Sequence, residues 1–222
     1  MDVAGYTKSF SIDQGTVLGI DQLFAALYNK PLTDPKRNGI CTGLSMIWLA
    51  RLMMWHNESP QQRLRGLGSM GAFRWGGKTQ DIHLAAGGAG GSDFAAFFQT
   101  AYGDALKAYV LRMVANSTVV YATADLAAAA KDFAPCLTGK HTYRLWNIGL
   151  QTPTGSAGHM VASYASGGKA GFFRHLYFFD PNMGEYKIDI SQTQNFVQAW
   201  MQAYADTFTG VNYISSFAVQ RG

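Results

Sequence analysis

Two hydrophobic periods divide this chain. From about Ile40 to His56, Leu44, Trp48, Leu52 and Trp55 recur at steps of three and four, which lays one apolar stripe along a helix. Phe94, Phe97, Phe98, Tyr102, Leu106, Tyr109 and Val110 repeat the pattern. They predict a long amphipathic helix over 93–115, capped by Ser92. A short helix is predicted over 21–30, between Asp21 and Pro31, and an alanine-rich one over 124–133. In the second half the period drops to two. Segments 143–150, 158–165, 172–180, 185–190 and 212–220 read as strands, with a helix in "QNFVQAWMQAYADTF" before the last. Helices first and strands afterwards predict an α+β fold, a helical N-terminal half packed on an antiparallel β-sheet. No repeat or linker interrupts it, so residues 1–222 read as a single domain. Residues 59–91, rich in Gly, Gln and Arg, show no assignable period and read as a long polar loop.

Composition narrows the function classes. Of 222 residues, 48% are hydrophobic, enough for one sizeable core. The net charge of +4 comes from scattered cations. Arg51, Arg63, Arg65, Arg74 and Lys78 form a loose group that reads as a solvated face, and no nucleic-acid reading motif accompanies it. The start, "MDVAGYTKSFSID", lacks the basic and apolar regions of a cleavable signal. The longest apolar run, Leu44 to Trp55, is broken by Arg51, so no membrane insertion is expected. The glycine run "AAGGAGG" has no Gly-Lys-Ser/Thr after it and makes no phosphate loop. Cys41 and Cys136 lie far apart, without CxxC or a histidine cluster. No metal site is expected from them; a single disulfide between them is possible but unnecessary. No cofactor is implied.

Cys41 falls in the first turn of the first strongly apolar helix. A helix N-terminus offers unpaired N–H groups and partial positive charge, which favour a thiolate and a developing oxyanion. Gly39 allows close approach of a substrate. A thiolate nucleophile needs a base and a group that orients it. Of His56, His83, His141, His159 and His175, His159 starts an alternating strand after small residues in "GSAGHMVASY". His56 ends the cysteine's own helix, about 20 Å away at 1.5 Å per residue. From His159 a hairpin through "SGGK" returns to Asp180, which ends "LYFFD" before the breaker "PNMG". A carboxylate there can accept from the imidazole and fix its tautomer. Cys136, in "FAPCLTGK", has no helix after it. His175 lies inside the returning strand, Asp189 is a reserve orienter one strand on, and Asn147 a poor substitute.

Cys, His and Asp in that order, at a helix start, a strand start and the next strand's end, form a papain-like arrangement. At these residues "GICTGLSMIWL", "GHMVASY" and "FFDPNMGEY" resemble the motif blocks of the YopT/AvrPphB family of bacterial effector cysteine proteases, over residues 38 to about 186. The resemblance implies a papain-like fold and an endopeptidase acting through a thioester without cofactor or metal. Cys41 would be the nucleophile, His159 the general base and then acid, and Asp180 the orienter. An upstream amide would join the Cys41 N–H in the oxyanion hole. Asn38 is the nearest match, closer to Cys41 than in the family, with Lys36 at the expected position. The family further implies secretion or injection by a bacterium and a protein substrate in the target-cell cytoplasm. Two alternatives stay open: a glutamine deamidase or transglutaminase using the same residues, and an inactive binding module. The net basic charge argues against a strongly basic target, and the 59–91 segment is the expected recognition region. The absence of a signal leans toward a domain excised from a larger toxin. Oligomeric state is not legible.

Overall fold

The computed structural model describes residues 1–16, 39–86, 94–169 and 171–222. The helix expected over 21–30, Lys36, Asn38 and the Ser92 cap lie outside them. The described elements are strand β1 (Lys8–Phe10), helices α1 (Cys41–Met54), α2 (Pro60–Leu67), α3 (Met70–Ala86) and α4 (Phe94–Lys107), strands β2 (Leu111–Met113) and β3 (Val119–Ala122), helix α5 (Leu126–Leu137), strands β4 (Thr142–Thr152), β5 (Gly155–Ala165), β6 (His175–Asp180) and β7 (Gly184–Asp189), helix α6 (Thr193–Ala205) and strand β8 (Gly210–Arg221). All strands join one antiparallel sheet in the order β1-β7-β6-β5-β4-β8-β2, with β3 also on β8.

Alternation along the central strands feeds two cores. Leu145, Met160, Ala162 and Phe179 face α1, α3 and α4. Trp146, Ile148, Val161 and Phe178 face α5 and α6. Helices therefore cover both faces of the sheet. Both faces need cover because β4 is buried on both sides from Arg144 to Leu150.

Several elements differ from the sequence reading. Helix α1 is buried nearly all round from Cys41 to Ala50 instead of along one stripe, because the sheet lies on one side and α3 on the other. The 59–91 segment is not a polar loop but begins with two helices. Ser59 and Gln62 form a reciprocal capping box with Pro60 at the first helical position, a local signal that glycine content concealed. The close approach of α3 to α1 depends on a glycine in α1. A Cβ on Gly43 would lie 2.1 Å from the Gly76 backbone oxygen, so α1 and α3 touch backbone to backbone. The helix expected over 93–115 stops at Lys107. Val110 turns the chain at φ 56, and Leu111–Met113 pair with β8. Strand pairing overrides the apolar spacing that continues through Tyr109.

The cationic group is not wholly solvated either. Arg63 is buried and binds Glu185 with two bonds of 2.6 Å, while Trp48 Nε1 donates to the same carboxylate at 2.8 Å. Arg51 pairs with Glu58. Cys41 and Cys136 are free thiols. Among the described residues, no helix is long and apolar enough to cross a membrane.

Candidate active site

The site forms where the sheet splits. Strand β5 pairs with β4 along its whole length but with β6 only from Ala162 to Ala165. Ahead of Ala162, β5 has an open edge, and the first turns of α1 fill it. Ser45 Oγ donates to the Met160 carbonyl at 3.0 Å, and the Met160 N–H points at the Cys41 sulfur. Cys41 sits one helical turn before Ser45, and His159 one residue before Met160. A few local bonds thus bring two distant segments together.

Register places the carboxylate. Phe179 pairs with Ala162, so Asp180 lies on the sheet face shared by Val161 and, two residues back, His159. His159 Nε2 and Asp180 Oδ1 are 2.8 Å apart. The ring's other nitrogen, Nδ1, is left to the Cys41 sulfur, with which His159 makes a hydrogen bond. Asp180 is 0% exposed, and further donors surround it. The Asn182 N–H gives 2.8 Å to Oδ1, while Trp200 Nε1 and Tyr204 OH give 2.8 and 2.9 Å to Oδ2. Trp200 and Tyr204 stand one turn apart on α6, so one helix face holds one carboxylate oxygen. The Tyr204 ring also lies 5.3 Å from the imidazole and steadies its plane.

These contacts set the protonation states. Burial opposes charge on the His159 ring, yet Asp180 and then the Cys41 sulfur outweigh it and raise its pKa to about 10. Burial likewise opposes the Cys41 thiolate, but His159 and the Met160 and Thr42 N–H groups bring that pKa below its ordinary value. Asp180 is buried too, and the facing imidazolium dominates the effects that hold its pKa down. Both shifts run toward a thiolate–imidazolium pair on a carboxylate. Burial pushes the Cys136 thiol the other way, to about 11. Iodoacetamide is therefore expected to alkylate Cys41 at pH 6 while leaving Cys136 untouched. The Cys41 rate should rise through its lowered thiol pKa and then stay flat until His159 loses its proton near pH 10. Site-resolved mass spectrometry checks this, and equal labelling of the two thiols at pH 6 contradicts it.

A cleft of about 460 Å³ opens onto Cys41 and His159, lined also by Gln14, Gln80 and Asn182. Gln14 was invisible to sequence patterning. Its backbone N–H donates to the Pro181 carbonyl at 2.8 Å, its Nε2 to Asn182 Oδ1 at 2.8 Å, and its Oε1 accepts from the Ile40 N–H at 2.8 Å. One glutamine thus ties the entry of α1 to the turn after Asp180. No periodicity marks Gln14; Trp200 and Tyr204 carried a weak signal in their four-residue spacing.

The rival residues lie elsewhere. His56 is exposed beyond α1, and Cys136 is in the last turn of α5. His175 is the half-buried first residue of β6. Exposed Asp189 accepts from the Ser191 N–H at 2.9 Å. Asn147 donates to Tyr102 OH at 2.8 Å.

A solved structure has a similar architecture. No curated protein sequence matches the chain. Among solved structures, the chain is similar to the Pseudomonas avirulence protein AvrPphB, at 21% identity and a TM-score of 0.65, covering 82% of this chain and 92% of that one. It also matches PatoxP, a cysteine protease-like domain of the Photorhabdus asymbiotica toxin PaTox, at 16% identity and a TM-score of 0.34, covering 93% of this chain and 59% of that one. The model of a family of peptidases, C58, described as Yersinia/Haemophilus virulence surface antigen, matches residues 5–213. The chain therefore belongs to the C58 peptidase family, and it is a cysteine protease of papain-like α+β fold.

Proposed function

We propose that Cys41, His159 and Asp180 are the catalytic residues of an endopeptidase that acts on a protein of a cell targeted by a bacterium, with residues 1–222 as one catalytic domain. The observation that carries this reading is the 2.8 Å contact between His159 and Asp180, with the imidazole's other nitrogen on the Cys41 sulfur at the mouth of a cleft. Cys41 attacks the scissile carbonyl. The backbone N–H of Cys41, at the start of α1, faces the oxyanion. His159 gives its proton to the leaving amine, which releases the new N-terminus and leaves a thioester on Cys41. Water, deprotonated by His159, then attacks the thioester and frees the enzyme. Asp180 holds the ring's tautomer and stabilises its charge throughout. Asn38 would contribute its amide to the oxyanion hole; it lies outside the described residues.

The experiment is a mass-spectrometric survey of new N-termini in target-cell lysate treated with the full chain. The expected result is a small set of new N-termini absent from untreated lysate. A one-dalton gain on glutamine, or cross-linked chains without cleavage, would replace the endopeptidase with a deamidase or transglutaminase.

A further inference from the structure

We infer that Gln80 is a substrate-binding residue whose side-chain carbonyl accepts a hydrogen bond from an N–H of the bound polypeptide. This rests on the cleft around Cys41 being the catalytic cleft. Gln80 is 8% exposed and lines that cleft together with Cys41 and His159. Its Oε1 is the buried side-chain polar atom without a hydrogen-bond partner among the described residues. Such an oxygen destabilises a fold unless something supplies a donor, and native structures rarely keep one without a reason.

Loose packing of α3 does not account for it. Gly76, one turn before Gln80, touches Gly43 backbone to backbone, so α3 cannot slide along α1. Thr79 Oγ1 lies 2.6 Å from Tyr109 OH, and His83 Nδ1 lies 3.2 Å from the Ala101 carbonyl. Contacts on either side of Gln80 thus fix how α3 is turned. The residues that seat α3 on α1 also hold Gln80 in the wall of the cleft onto which Cys41 opens, with its acceptor unused.

The chemistry selects the ligand. A neutral carbonyl oxygen takes an N–H donor and adds no charge beside the thiolate–imidazolium pair. The peptide can supply that N–H from its main chain near the scissile bond or from a side-chain amide or ammonium.

The test compares the wild-type chain of residues 1–222 with Gln80→Leu, which nearly keeps the volume and removes the acceptor. Two probes are used: iodoacetamide, and a panel of peptidyl acyloxymethyl ketones varied in side chain, with N-methylated counterparts. Iodoacetamide reads thiolate reactivity alone, and its rate on Cys41 should stay within about twofold. The rate of the best ketone should fall about 10-fold or more, as expected for a lost hydrogen bond that leaves its partner unpaired. The melting temperature should rise, since an unsatisfied buried group is gone. If N-methylation at one position slows the wild type but not Gln80→Leu, the donor is the main chain; if trimming a side chain does so, the donor is that side chain.

An unchanged ketone rate overturns the inference. So does an equal fall with both probes, which would mark damage to the thiolate. Should no ketone react with the wild type, the melting temperature decides: a rise in Gln80→Leu supports an acceptor kept for a ligand, and no rise overturns it. Failure of iodoacetamide to label wild-type Cys41 selectively would instead count against the catalytic reading.

Discussion

Cys41→Ala is expected to abolish the new N-termini, with turnover falling by at least about 10⁴-fold, the scale seen when a nucleophile is removed from an acyl-transfer enzyme. The substitution should leave the fold intact. The sulfur's partners are His159 and the Met160 and Thr42 N–H groups, while the position of His159 depends on Asp180, which remains bonded to Asn182, Trp200 and Tyr204. Circular dichroism should therefore match the wild type, and the melting temperature should move by no more than a few degrees. Cys136→Ala is the control and should retain full activity, because that thiol lies in α5 away from the cleft. Full cleavage by a folded Cys41→Ala chain would remove the mechanism.

The largest stability loss is expected at a residue with no chemical role. Glu185 is 0% exposed and holds both the buried Arg63 guanidinium and the Trp48 indole N–H. Glu185→Ala leaves a buried cation without its counter-charge and should cost about 3–5 kcal/mol. For a domain of this size that lowers the melting temperature by about 10 °C. Activity should fall with the loss of folded protein, because Trp48 anchors the helix that Cys41 begins. The pH dependence of the surviving enzyme should be unchanged. Replacing both charges, Arg63→Met with Glu185→Leu, should be less destabilising than Glu185→Ala alone, because neither charge is then stranded. Urea denaturation of the three proteins decides it. A double variant no more stable than Glu185→Ala would mean that the pair acts through packing alone.

The same carboxylate shows how motif residues acquire meaning. Trp48 and the Gly-Glu after "FDPN" belong to the sequence blocks that carried the family resemblance. In the fold they are structural. Trp48 and Glu185 bond to each other, and Gly184, at φ 126, leaves room where a Cβ would meet the Phe10 backbone oxygen at 2.0 Å. The cleft residues were much less legible. Gln14 belongs to the N-terminal segment, and Gln80 to a stretch whose glycines suggested a loop. Both are polar positions without period, and polar residues announce a role only once their partners are known.

Local physics wrote part of this protein directly into its chain. Alternating side chains on β4 to β8, and the apolar helix opened by Cys41, follow from contacts within a few residues and survive in any context. So does the pairing of β5 with β6 that brings Asp180 back beside His159, since a period of two fixes which side chains share a face. Tertiary structure decided the rest. Which face each helix covers, the end of α4 at a strand pairing with β8, the donors gathered on Asp180, and the seating of α3 that carries Gln80 to the cleft all depend on groups far apart in sequence. Their energies come from burial and from satisfying buried polar atoms. Those terms exist only after the chain has closed on itself, and no window of neighbouring residues contains them.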